Sequence, residues 1–261
     1  MNLVVSLTVV IPVYNEEQNL PPLWAELCPV LEGLGIEFEI VFVDDGSQDR
    51  SAEIVRRLRE GDARVRLVSL KANAGETAAT DAGFKAARGR MVVTMDADLQ
   101  NDPADVPALL AHLDAWDAAC GWRQVRHDPW LKRASSRIAN QVRRWVLGDD
   151  VRDSACSLRA MHRRCLDGIE PFHGFHRFLP TLFRQAGHRV IEVPVHHRPR
   201  RYGVSHYGVR NRAWRAFVDL LGVRWMGSRR LHYELCEDTL PPAGDEDARE
   251  ATAAPGQVPI L

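Results

Sequence analysis

An α/β fold with a mostly parallel central sheet flanked by helices is what this 261-residue sequence predicts, and three observations carry that expectation. Near-continuous apolar runs rich in β-branched residues recur at 7–14 (LTVVIPVY), 38–45 (FEIVFVDD) and 90–98 (RMVVTMDAD), as expected of strands buried on both faces. Helical patterns separate them, the signature of parallel strands joined by crossover helices. Each run also ends in polar residues. A hydrophobic content of 45% is ample for a core, and a formal net charge of -1 leaves no global field to steer nucleic acid.

Taken in order, the first run ends in Tyr14, Asn15 and Glu16 and is followed by a helical pattern over 16–34. The second ends in Asp44 and Asp45 and passes through DGSQD, where Ser47 or Asp49 can cap a helix over 49–60. A further strand, RVRLVSL at 64–70, precedes a helix over 75–88. The run at 90–98 closes on Asp96 and Asp98, with Gln100 just beyond. Ligands of parallel sheets bind beyond the carboxyl ends of the strands, so these polar ends should converge on one crevice.

Asp96 and Asp98 can reach one ion only if the chain turns there, which the following Leu-Gln-Asn-Asp-Pro favours. Carboxylates crowded together without a cation repel and raise their own pKa values. A divalent metal resolves the conflict. The hard oxygens of Asp96, Asp98 and Gln100 suit Mg2+ or Mn2+, ions that sit between carboxylates and the phosphates of a substrate. The competing reading has the acids cap a helix opening near Pro103; the two other polar strand ends favour the metal.

VVIPVYNEEQNL, VFVDDGSQDRS and MDADLQNDP, in that order, resemble the family 2 glycosyltransferases of the GT-A fold. RASSRIANQ (133–141), DSACSLRAMHRR (153–164) and EVPVHHRPRRYGVSHY (192–207) are similar to the dolichyl- and undecaprenyl-phosphate sugar transferases within that family. The resemblance implies an inverting transfer of a sugar from a nucleotide-diphosphate donor to a polyprenyl phosphate at the membrane surface. It also implies that Pro12, Tyr14, Glu16, Val43 and Asp45 hold base and ribose, and that Asp96, Ala97 and Asp98 meet the diphosphate and metal. Arg123 and Arg200 would face the donor, while Arg133, Ser136, Arg137 and Arg159 would hold the acceptor phosphate. Asp153 matches the family's acidic motif and would position the acceptor or assist its deprotonation. His206 stands where the family carries lysine, exchanging a permanent cation for one that titrates near neutrality.

Two basic clusters fit an anionic membrane surface. Residues 122–144 hold seven Lys or Arg against one acid, and 198–215 hold six arginines interleaved with Tyr202, Tyr207 and Trp214. Nucleic acid ranks low as a partner, since no nucleic-acid fold accompanies them. The pairs His173 with His176 and His196 with His197 lack zinc-site spacing. Five scattered cysteines without a CxxC pair are expected as free thiols, and no segment is apolar for the roughly 20 residues a span needs. The expected organisation is a catalytic domain over 1–209, an amphipathic membrane-interface helix over 210–231 and a disordered acidic tail over 232–261, peripheral to the cytoplasmic face of the membrane. A transferase with a soluble or polysaccharide acceptor, and a nucleotide-sugar-binding protein without turnover, are the alternatives.

Overall fold

The computed structural model describes residues 5–124, 141–202 and 210–230. Among these residues seven strands form one sheet in the order β3-β2-β1-β4-β6-β5-β7, where β1 is Leu7–Val13, β2 Phe38–Asp44, β3 Val65–Ser69, β4 Met91–Thr94, β5 Ala118–Arg123, β6 Arg159–His162 and β7 Val190–Val195. β1 runs parallel to both β2 and β4, and β2 to β3, as the buried runs predict. β6 alone is antiparallel to its neighbours β4 and β5, while β7 pairs parallel to β5. The sheet is therefore mixed but mostly parallel.

Helices cover both faces because the inner strands are apolar on both. Along β1, Leu7, Val9, Ile11 and Val13 enter one cluster and Val10 the other, the two-residue alternation of a pleated strand. The first cluster is closed by α1 (Leu20–Glu32), α2 (Ser51–Gly61) and α4 (Val106–Ala111) through Leu23, Leu27, Val55 and Leu109. The second is closed by α3 (Glu76–Ala86), a helix at 141–147 (α5), α6 (Leu179–Gln185) and α7 (Arg210–Arg229). Leu220 and Val223 of α7 are buried in that cluster, and the compact unit runs as far as Arg229. α3 lies close on the sheet at Gly83, where a Cβ would come within 2.2 Å of Val10 Cγ1.

Two expected boundaries shift by four residues, and both shifts serve the crevice. Strand β4 stops at Thr94 rather than 98, because the chain turns through Leu99 at φ 63 and Asp98 Oδ1 accepts from the Gln100 amide at 3.1 Å. Asp96 and Asp98 thus sit on a turn and not on a strand. Helix α1 starts at Leu20 rather than 16, because residues 14–19 turn through Asn15 at φ 55 and are tied to the 47–51 segment. Ser47 Oγ accepts from the Asn15 amide at 3.0 Å and Ser51 Oγ from the Glu16 amide at 2.9 Å. Capping near Pro103 is performed by Asp102, whose Oδ1 accepts from the Ala104 amide at 3.0 Å, so Asp96 and Asp98 are not consumed as caps. Among the described residues no helix is long and apolar enough to cross a membrane. The expected tail, 232–261, lies outside the described residues.

Candidate active site

The strand ends do converge. A cleft of about 390 Å³ opens beyond the carboxyl edge of β1, β2 and β4, and Pro12, Tyr14, Glu16, Asp45, Asp96, Ala97, Asp98 and Arg200 all line it. Arg200 arrives from the segment after β7. That segment is held against the β4 turn by the Asn101–His197 bridge and by the Arg198 amide donating to the Gln100 carbonyl at 2.9 Å. Arg200 Nη2 meets Asp98 Oδ2 at 2.8 Å and lies 3.9 Å from Glu16 Oε1.

Burial raises the Glu16 carboxyl above the usual range, against the lowering effect of Asn19 and Arg200. Asp96 is perturbed further: burial first, then the charges of Glu76 and Asp98, push it up to about 7. Ser157 Oγ donates to Asp96 Oδ2 at 2.6 Å and fixes its orientation. Asp45 serves local structure as well as the cleft. Its Oδ1 accepts from the Ala74 amide at 2.7 Å, and its Oδ2 from the Gly75 amide at 2.9 Å and Asn73 Nδ2 at 3.0 Å. Gly46 permits that approach, since a Cβ there would meet Asn73 N at 2.6 Å and its φ is +70.

Asn73, Gly75 and Glu76 also line the cleft, beyond the residues the three strand ends predict. The rule that found the other residues reaches them too, because KANAGE directly follows β3 at the same sheet edge.

Other expected residues lie elsewhere. Val43 is fully buried with its side chain in the core cluster under α3, so only its backbone is near the edge. Gln100 does not join Asp96 and Asp98: its Nε2 lies 3.4 Å from His197 Nε2 and donates to the Arg198 carbonyl at 3.4 Å. Arg123 is turned onto Asp153, with Nε donating to Oδ2 at 2.7 Å and Nη2 to Oδ1 at 2.9 Å. Arg159, the first residue of β6, lines a second, smaller chamber that shares Asp96 with the cleft. Arg133, Ser136, Arg137 and His206 lie outside the described residues.

The histidine pairs are dispersed. His176 Nδ1 is 3.1 Å from Thr77 Oγ1 and His196 Nδ1 is 2.8 Å from Asp105 Oδ1. Cys28, Cys120, Cys156 and Cys165 are free thiols.

The donor set decides what the cleft can hold. Glu16, Asp45, Glu76, Asp96 and Asp98 line it, and Arg200 is the cation among its lining residues. An anionic diphosphate would be repelled from that wall unless a cation came with it. Among the described residues no group of three or more His, Cys, Asp or Glu side chains is set to hold a metal ion. Two hard carboxylates completed by phosphate oxygens are the arrangement Mg2+-type ions favour, and the charges of Glu76 and Asp98 that add to burial in raising Asp96 are ones a divalent ion would offset.

A family model described as glycosyl transferase family 2 matches residues 8–169. Solved structures of glucosyl-3-phosphoglycerate synthase from Mycobacterium tuberculosis share the fold. The complex with phosphoglyceric acid superposes with a TM-score of 0.64 at 21% identity, covering 85% of this chain and 80% of that one. The complex with Mn2+, uridine diphosphate and phosphoglyceric acid gives 0.64 at 20% identity over 87% and 80%. The complex with Mg2+ and uridine diphosphate gives 0.63 at 21% over 84% and 80%.

Proposed function

The chain belongs to glycosyltransferase family 2, and from that premise we propose that it moves a sugar from a nucleoside-diphosphate donor, bound with Mg2+ or Mn2+ in the cleft, to a small soluble acceptor. The observation that carries the reading is the acid-lined cleft itself, where Glu16, Asp45, Glu76, Asp96 and Asp98 gather beside Arg200 at the carboxyl edge of the sheet, a wall that a diphosphate approaches only with a divalent cation. Tyr14, Glu16 and Asp45 take the nucleoside, with carboxylates accepting from ribose hydroxyls or base N–H groups. Asp96 and Asp98 would hold the metal, which would supply positive charge for the departing nucleoside diphosphate. Arg200, already against Asp98, adds a second cation at that place.

The acceptor oxygen attacks the anomeric carbon from the face opposite the diphosphate, and the carbon–oxygen bond to the diphosphate breaks with inversion. Where the nucleophile is a hydroxyl its proton needs a base, and Glu76, which together with Asp96 lines both cleft and chamber, is the carboxylate that takes it. Asp153 acts by holding the Arg123 guanidinium at the end of β5.

The soluble-acceptor reading is supported by the solved structures of an enzyme named for glucosyl-3-phosphoglycerate, whose fold this chain shares. A polyprenyl phosphate at an anionic membrane is the second reading. One observation favours it: Trp145 on α5 is 82% exposed and Trp225 on α7 63%, and the two helices are joined where Arg224 Nη1 donates to the Val146 carbonyl. A panel of nucleotide sugars assayed with and without metal, against a phosphorylated hydroxy acid and against a prenyl phosphate in mixed micelles, tests both. Metal-dependent transfer to the soluble ester without lipid is the expected result.

A further inference from the structure

Three side chains that follow β7 stand at two-residue spacing, and each meets a carboxylate of the segment that follows β4. His196 Nδ1 lies 2.8 Å from Asp105 Oδ1, Arg198 Nη2 2.7 Å from Asp102 Oδ2, and Arg200 Nη2 2.8 Å from Asp98 Oδ2. Numbers rise on one side as they fall on the other, so the pairs form an antiparallel ladder around the Asn101–His197 bridge. Side chains two apart share one face of an extended chain, and Pro199 favours that conformation by fixing its own φ and disfavouring helix at Arg198.

The rungs are unequal. The His196 side chain is 81% exposed, where an ion pair contributes little, and that end is held by the His196 amide donating to Asp105 Oδ2 at 2.7 Å. Arg200 closes the ladder inside the cleft, and beyond it Arg201 and Tyr202 are exposed. Arg198 is tied most fully: its guanidinium spans Asp102 and Glu26 of α1, its amide donates to the Gln100 carbonyl at 2.9 Å, and its carbonyl accepts from Gln100 Nε2 at 3.4 Å. A guanidinium fork between two carboxylates fixes direction as well as charge.

We propose that Arg198 is a positioning residue for the donor: it seats the 196–200 segment on the 98–105 segment and so presents Arg200 to the donor diphosphate. The donor's part rests on the transferase reading, whereas the seating does not. Asp98 Oδ1 accepts from the Gln100 amide, so Arg200 and a divalent ion compete for Oδ2, and the Arg200 rung is a poor anchor. Arg198 anchors independently of that competition, because Arg198, Glu26 and Asp102 all lie outside the lining of the cleft. An arginine already seated also loses less freedom when the diphosphate arrives.

The test uses the full chain as wild type, Arg198→Gln, Arg198→Lys, Arg200→Gln and the double variant Arg198→Gln/Arg200→Gln. The probe is whichever nucleotide sugar of the panel binds the wild type most tightly in Mn2+, titrated by calorimetry. Its Kd is expected to weaken about fivefold to tenfold in Arg198→Gln and about twofold to fourfold in Arg198→Lys, which keeps the charge without the fork. Because Arg198 acts through Arg200, the double variant binds no more weakly than Arg200→Gln alone. Hydrogen exchange without metal or donor reads the seating itself. Amides of 196–201 should exchange about tenfold faster in Arg198→Gln, and within about twofold of wild type in Arg200→Gln.

An unchanged donor Kd in both Arg198 variants, losses that multiply in the double variant, or exchange of 196–201 that is unaltered in Arg198→Gln would overturn the proposal. Should Arg198→Gln fail to fold, Arg198→Lys carries the same comparisons. A wild type that binds no nucleotide sugar in Mn2+ would count against the transferase reading instead, and hydrogen exchange then decides the seating by itself.

Discussion

At Asp96 a single carboxyl carries the tension of the site. Its pKa is raised to about 7 by burial, Glu76 and Asp98, against an unfolded value of roughly 3.9. Between those values the folded protein keeps a proton that the unfolded chain releases, so metal-free stability is fullest below about pH 4 and falls as pH climbs toward 7. Asp96→Asn removes that loss. In EDTA its melting temperature should exceed wild type by a margin that widens from pH 5 to pH 8, reaching ~1 kcal/mol or more, roughly 2–4 °C for a domain of this size. A margin constant with pH would show that Asp96 is not held protonated.

Residue types at this scale were legible in the sequence, because acids at strand ends have few structural uses. Side-chain direction was not. Gln100 turns to His197 and Arg123 to Asp153, and only the packed neighbours determine that.

Elements explain which parts of the fold could be read. β1, β2 and β4 are apolar runs rich in β-branched residues and buried on both faces, which the sequence pattern identifies directly. β4 was read four residues too long because MDAD continues the apolar and acidic alternation of a half-buried strand. β6 has four residues and pairs antiparallel on both sides, too short for a periodic signal. β7 contains Pro194, tolerated because β7 is an edge strand. Packing of α3 on β1 makes its own prediction. Gly83→Ala gains helix propensity of ~1 kcal/mol but drives a methyl into the stiff Val10 side chain, an overpacking cost of about 1–3 kcal/mol. Net destabilisation of ~1 kcal/mol is expected in urea melts, relieved in the double variant with Val10→Ala. A Gly83→Ala protein as stable as wild type would mean that α3 can shift on the sheet.

For the whole molecule, the sheet order brings residues distant in sequence to one edge. Asp98 and Arg200 meet at the cleft, and Asp96, Arg159 and Arg177 line the chamber beside it. The cleft was legible because three strand ends announce it, whereas the chamber depends on HGFHRF folding against α3, which no local pattern reports. Charge and exposure on α5 and α7 set a further test. Under the soluble-acceptor reading, replacing Trp145 and Trp225 by Ser leaves transfer unchanged and vesicles make no difference. Under the lipid reading, transfer falls with the tryptophans and declines as salt rises, since surface attraction is screened over about 10 Å at 0.1 M salt.

The most direct measurement is calorimetric titration of the wild type and Asp98→Ala with a nucleotide sugar, with Mn2+ and with EDTA. The account predicts binding to the wild type only when metal is present and none to a folded Asp98→Ala protein in either condition. Equal, metal-independent binding to both would contradict it.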